Sequence, residues 1–346
     1  MRSFLFLLLL GFSINLNAQI KKGQEPYITQ SLSGQSIKEV EAETSGGSID
    51  VTGGSGDARV EVYVNRNNNK LGESALSKEE IKQRLDEDYN LDVSVSNGKV
   101  TAKARPKHNN MDWKRALSIS FRVFVPQNVS TDLNTSGGSI ALTNLSGEQH
   151  FSTSGGNLTL NNINGKTKGS TSGGSIYVKN SKDDLNLSTS GGDIEASDCA
   201  GNMHLSTSGG SIHLTNLKGD IDAGTSGGNV KGSNIEGELT AHTSGGNVNM
   251  SDLSCSLEAS TSGGNIDVAF KQAGKFIKVS NSGGNINLQL PKSTAADLDI
   301  RARRVNTGKM ENFSGTIEDE TVKGKLNGGG VSVKANADGK VSLSFQ

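Results

Sequence analysis

The chain has 346 residues, and its 35 basic and 36 acidic side chains leave a net charge close to zero. No basic patch or stripe stands out, which argues against nucleic acid as a partner. Aromatics make up 4% of the residues and Trp113 is the one tryptophan, so a sugar-binding platform of stacked rings lacks its raw material.

In chain order, residues 1–18 read as a secretory signal peptide. Arg2 supplies the positive end, Phe4 to Phe12 the short apolar core, and Asn17-Ala18 before Gln19 the cleavage site. No other segment approaches the roughly 20 apolar residues of a transmembrane helix. No cysteine follows the signal, which argues against a lipid anchor. The mature protein is therefore expected outside the cytoplasm: in the periplasm, on the outer surface or secreted.

Residues 19–134 are expected to hold a first coil interrupted by a helix-hairpin insertion at about 65–117. Residues 38–64 carry the first Thr44-Ser45-Gly46-Gly47, followed by Ile49 and Val51. Asn65 to Asn69 with Gly72 reads as a loop. Ser77-Lys78-Glu79-Glu80 is a capping box that opens a short helix running to about Tyr89. Leu91 to Ala104 alternates around Asn97-Gly98, a strong hairpin signal. Ser118 to Val125 alternates again and stops at Pro126. The insertion is placed to cap one end of a stack of coils, since an open coil is an unpaired edge.

Residues 135–284 repeat. Thr-Ser-Gly-Gly begins at Thr135, Thr153, Thr171, Thr189, Thr207, Thr225, Thr243 and Thr261, 18 residues apart each time. A degenerate copy, Asn281-Ser282-Gly283-Gly284, comes two residues late. A fixed period of this length makes each repeat one unit stacked on an equivalent neighbour. With each Thr as position one, position six is always Ile, Leu or Val, from Ile140 to Ile266. Positions eight, eleven, fifteen and seventeen are mostly apolar, and the residues between them suit water. Spacings of two mark strands with one buried face. Gly-Gly at positions three and four reads as a turn, on the ground that glycine reaches positive φ without cost. Asn or Asp at position ten, from Asn144 to Asp252, and Gly at position thirteen mark a second corner. The alternation points Thr of position one inward, and stacking should place position-ten amides in a ladder. The expected fold is all-β: a single-stranded parallel β-helix, or β-solenoid, with 18-residue coils and the right-handed crossover that parallel strands favour.

Residues 285–346 loosen the register. Asn287 to Leu290, Asp297 to Ile300, Val331 to Val333 and Val341 to Phe345 read as strands of irregular further coils.

The succession Phe121-Arg-Val-Phe-Val-Pro126, repeated Thr-Ser-Gly-Gly-x-Ile/Val, Leu288-Gln-Leu-Pro291 and Gly324-Lys-Leu-Asn-Gly-Gly-Gly330 resembles the bacterial adhesin-like family DUF4097. The resemblance covers most of the mature chain and implies a secreted or envelope β-solenoid. The chain departs from the family in its helix-hairpin insertion and in the strictness of its repeats. The family brings no catalytic residues to carry over.

Residues with chemistry are scattered. His150 and His204 share position sixteen three coils apart, too far for one metal, and His213 and His242 occupy other outward positions. Asp50, Asp193 and Asp267 lack the Gly-Gly-x-Gly-x-Asp frame of calcium-binding solenoids. Asp183-Asp184 is the one adjacent acidic pair in the regular coils. Cys199 and Cys255 lie three coils apart, about 14 Å along a stack of strands, whereas a disulfide needs Cα atoms within about 7 Å. No catalytic, cofactor or metal residue emerges, and no cofactor is expected. The reading is a non-enzymatic, adhesin-like β-solenoid presenting an extended surface to an envelope protein or polysaccharide. The alternatives are a carbohydrate-active β-helix, lyase or hydrolase, and a purely structural envelope component.

Overall fold

The computed structural model describes residues 24–54, 56–67, 76–108 and 115–346. The expected signal peptide, Trp113 and part of the loop around Asn69 and Gly72 lie outside the described residues.

Each repeat puts one strand at positions six to nine and another near positions fourteen to eighteen, and each pairs in parallel with its equivalent 18 residues on. Ile140, Leu158, Ile176, Ile194, Ile212, Val230, Val248 and Ile266 succeed one another across the first strip. Leu185, Met203, Ile221, Leu239 and Leu257 do so across the second. All of these side chains are buried, so the two strips enclose one continuous apolar core. The chain is therefore an all-β solenoid. Size is complementary from coil to coil where the ladder is not uniform. A Cβ on Gly169 would run into the Phe151 ring, and one on Gly232 would lie 2.6 Å from Met250 Sδ, so each large side chain occupies the space its glycine neighbour leaves.

The Thr-Ser-Gly-Gly corner corrects the expectation of positive φ, because none of its glycines has one. The second glycine has a different cause. A Cβ on Gly156 would fall inside contact distance of the Gly138 carbonyl of the preceding coil, and the same overlap recurs at Gly174, Gly192, Gly210, Gly228, Gly246 and Gly264. Backbone stacks directly on backbone there. The first glycine is not so confined, since a Cβ on Gly155 would sit 3.6 Å from Ser136 O. Position one points inward as expected and serves the same stacking. Thr153 Oγ1 donates to Gly138 O at 2.7 Å and accepts from Gly156 N–H at 3.2 Å. The degenerate copy keeps both bonds through an amide: Asn281 donates to Gly264 O at 2.8 Å and accepts from Gly284 N–H at 2.9 Å.

The second corner matches its expectation. Asn144, Asn162, Asn180, Asp198, Asn216, Asn234 and Asp252 all lie in the left-handed region, with φ between 54° and 57°. Glycine at position thirteen is also at positive φ, as at Gly147 and Gly219. The amide ladder exists in segments. Asn162 donates to Asn144, Asn216 to Asp198 and Asn234 to Asn216, each at 2.9 Å. It breaks at Asn180, which donates to Asn161 instead.

The two ends differ from the repeats. The helix Lys78–Asp88 has the anticipated capping box, with Glu80 N–H donating to Ser77 Oγ and Ser77 N–H to Glu80 Oε2. The hairpin of Tyr89–Ser96 and Lys99–Pro106 turns at Asn97 and Gly98, both at positive φ. Its second strand lies parallel on Glu39–Thr44 and so caps one strip. Leu117–Val125 lies parallel on Ile49–Gly53 and extends the other. Residues 38–64 are not one coil: after Gly53 the chain leaves, and Arg59–Arg66 returns antiparallel to Leu117–Val125.

At the far end, spatial order departs from chain order. Val331–Phe345 is the next layer after Ile286–Leu290, lying between it and Ala296–Thr307. Two strands that no local pattern signals finish the stack: Thr321–Leu326 pairs antiparallel with Ala296–Thr307, and Phe313–Ile317 pairs antiparallel with Thr321–Leu326.

Candidate binding surfaces

Because strands alternate, the outward side chains form rows along the stack. One row was not anticipated from the residues. Position five is Ser, Asn or Asp in every regular coil, and its side chain accepts the position-five N–H of the next coil. Asn157 N–H donates to Ser139 Oγ at 3.1 Å, Ser175 N–H to Asn157 Oδ1 at 2.8 Å and Ser211 N–H to Asp193 Oδ1 at 2.7 Å. The signal was present in the restriction of that position to short acceptors. This row is spent on holding coils together.

The acidic pair is committed as well. Asp183 Oδ2 accepts from Gly165 N–H and Asp184 Oδ1 from Asn202 Nδ2, both at 2.9 Å. Asp193 belongs to the position-five row. Cys199 and Cys255 are buried free thiols, and burial pushes both up in pKa, Cys255 to about 12. Cys199 also donates to Ser197 O at 3.1 Å.

At the capped end, Asp50 stands on the strand Ile49–Gly53, in register with Arg122, whose Nε is 4.0 Å from its carboxylate. Burial outweighs the attraction of that guanidinium and raises the Asp50 pKa from 3.8 to about 6. Glu61 beside it goes the other way. Burial opposes its charge, but bonds from Tyr63 Oη at 2.7 Å and Arg59 Nε at 2.7 Å hold its carboxyl below the usual range. Arg59 stacks on Phe124, 3.8 Å from the ring centre. These side chains satisfy one another and tie the cap to the first coil.

The outward histidines are all exposed. His204 Nδ1 is 2.9 Å from Asp222 Oδ2, and His242 Nδ1 approaches Asp222 Oδ1 at 3.9 Å. A Cβ on Gly224 would overlap the His242 ring, so glycine lets that ring lie down on the face. Among the described residues no three His, Cys, Asp or Glu side chains are placed to hold a metal ion. Near this triplet a depression of about 470 Å³ is lined by residues that include His150, Lys168, Asp184, His204, Asp220 and Asp222. Asp184 and Asp220 sit two coils apart, because each pairs in register with Asn202.

A larger trough, about 750 Å³, runs along the first strip from the coil of Thr207 to that of Asn281. Position seven contributes His213, Lys231, Asn249, Asp267 and Asn287, and position nine contributes Thr215, Ser233, Ser251, Ala269 and Gln289. Leu214, Gly232, Met250, Val268 and Leu288 of position eight run beneath it, and the four side chains among them turn into the core. No sequence signal marked it, because it arises from side-chain sizes compared across coils rather than from any motif.

Residues 175–344 match the family model described as Toastrack DUF4097, the family that the sequence resembles. A crystal structure of a protein from Clostridium sporogenes ATCC 15579, provisionally titled a cell adhesion protein, aligns over 92% of this chain and 98% of its own. Its sequence identity is 11% and its TM-score 0.19, too low to establish a shared fold. No curated protein matches this chain.

Proposed function

We propose that this protein is a non-enzymatic, adhesin-like β-solenoid that acts outside the cytoplasm and offers an extended surface to an envelope protein or polysaccharide. In this reading residues 1–18 are a cleaved signal. Residues 19–134 form the capped first coil, whose insertion begins once the chain leaves after Gly53, residues 135–284 the regular 18-residue coils, and residues 285–346 the irregular closing coils. The coils wind right-handed, the default for parallel crossovers.

The observation that carries the reading is the long trough, whose polar side chains recur coil after coil instead of converging on a point. Turnover of a small molecule favours a concave site with convergent groups. A long face of repeated, shallow contacts suits a polymer or a flat partner, where many weak contacts add through avidity. The Toastrack match supports a β-solenoid without assigned chemistry. The carbohydrate-active alternative would use the depression at Asp184 and Asp220, yet Asp184 is already engaged with Asn202 and Asp222 with His204.

The test is binding of mature protein to envelope fractions, with a parallel assay for new reducing ends. Retention without cleavage is expected, together with progressive weakening as whole coils that line the trough, such as residues 225–242, are removed. Cleavage of any envelope polysaccharide, or loss of binding by a single substitution at Asp184, would overturn it.

A further inference from the structure

We infer that the trough along the first strip is a glycan subsite, which takes an extended, hydroxyl-rich polysaccharide lying along the stack axis. The inference rests on the proposed binding role and names the ligand class.

Three observations carry it. First, six polar side chains in the trough, His213, Thr215, Lys231, Ser233, Asn249 and Ser251, make no side-chain hydrogen bond or ion pair among the described residues. Elsewhere on the coils, polar side chains of positions one, five and ten are used to hold neighbouring coils. These six are exposed or half-exposed and directed at solvent over one cavity. They comprise three hydroxyls, an amide, an imidazole and an ammonium, which between them donate and accept.

Second, the backbone offers nothing on this face. Val230–Gly232 pairs with Ile212–Leu214 on one side and Val248–Met250 on the other, so its N–H and C=O groups are spent within the sheet. An extended peptide recognised by strand addition needs a free edge. Only side chains are presented here, and a ligand rich in hydroxyls is the polymer that side-chain hydroxyls and amides satisfy best.

Third, outward side chains, nine of the ten polar, recur along the trough with the coil rise, about 4.8 Å. A sugar ring in an extended β-linked glycan advances by nearly the same length, so successive rings meet successive coils. The floor between the two polar columns is the sheet backbone itself, because Leu214, Met250 and Val268 turn their side chains into the core. With no aromatic platform in the lining, each ring is held weakly and length supplies affinity.

The experiment uses mature full-length protein with insoluble β-linked polysaccharides and purified peptidoglycan sacculi as probes, alongside whole envelope extract. Ser233→Arg and Ser251→Arg fill the trough from outward positions and are expected to weaken glycan retention by about tenfold or more. Lys231→Ala and Asn249→Ala remove contacts without adding bulk and should weaken it in the same direction. Thr143→Arg, at position nine outside the trough, should leave it unchanged, and melting curves should match for all five. Longer oligosaccharides should compete better than short ones. Retention unaffected by both the arginine and the alanine variants would overturn the inference. So would binding to envelope extract with no retention on any glycan, an outcome that leaves the adhesive reading standing and removes only its ligand class.

Discussion

Glycine at position four of the repeat is required by stacking, while glycine at position three is not, and the two can be separated by one methyl group each. In Gly156→Ala the new Cβ would overlap Gly138 O, Gly138 C and Ser139 N at once, all of them backbone. No rotamer relieves that, so the coils must part locally. Overpacking costs about 1–3 kcal/mol where side chains can give way, and backbone gives less. Parting also stretches two bonds at the corner, Thr153 Oγ1 to Gly138 O and Gly155 N–H to Ser136 O, each worth about 1 kcal/mol. The expected loss is about 3–5 kcal/mol. In Gly155→Ala the Cβ lies at ordinary contact distance and the φ is not left-handed. Restricting the unfolded chain there stabilises by about 0.4–1 kcal/mol. The two variants should move in opposite directions, and thermal melts by circular dichroism report the sign. Hydrogen exchange at residues 150–160 localises the effect, which matters because stacked repeats need not unfold in one step. Equal destabilisation by both alanines would refute the stacking account and restore a purely conformational one.

Burial and charge set two further outcomes. Ile212→Asp buries a carboxylate between Ile194 and Val230, where the native side chain is fully covered, and should cost several kcal/mol. Lys218→Asp loses an exposed pair with Glu236 at 3.2 Å and should change stability by about 0.5 kcal/mol. Matching midpoints in urea would refute the inward and outward assignment. Asp50 adds a pH dependence. Its folded pKa, about 6, lies above the unfolded 3.8. Its contribution is therefore fully present below about pH 4 and is lost as pH rises through about 6, by at most about 3 kcal/mol. The stability of wild type minus that of Asp50→Asn should fall between about pH 4 and 7, and a flat or rising difference would contradict the assigned burial.

What could be read from the residues, and what could not, divides by the range of the interaction that decides it. The helix cap at Ser77, the Asn97-Gly98 turn and the left-handed Asn of position ten are decided within a few residues, and each appears where its local chemistry places it. The inward Thr was legible through alternation, although its two hydrogen bonds to glycine backbone were not. Gly-Gly misled because glycine has two uses, positive φ and close approach, which look identical in a string of letters. Only the neighbouring coil, 18 residues away, distinguishes them.

The closing layers went unread for the same reason in stronger form. Val331–Phe345 slots between two strands that both precede it in the chain, and nothing local to it says so. The trough belongs to this class. Its walls are two residues from each of five coils, none unusual in its own repeat. In a solenoid, then, shape is written along the repeat and is legible from one strand of it. Binding is written across repeats, in the column of residues at a single position, and the columns that hold the stack must be subtracted first. Once positions one, five and ten are assigned to coil–coil hydrogen bonds, positions seven and nine from His213 to Ser251 are among the polar columns that remain without a side-chain partner, and they are the ones that line the trough.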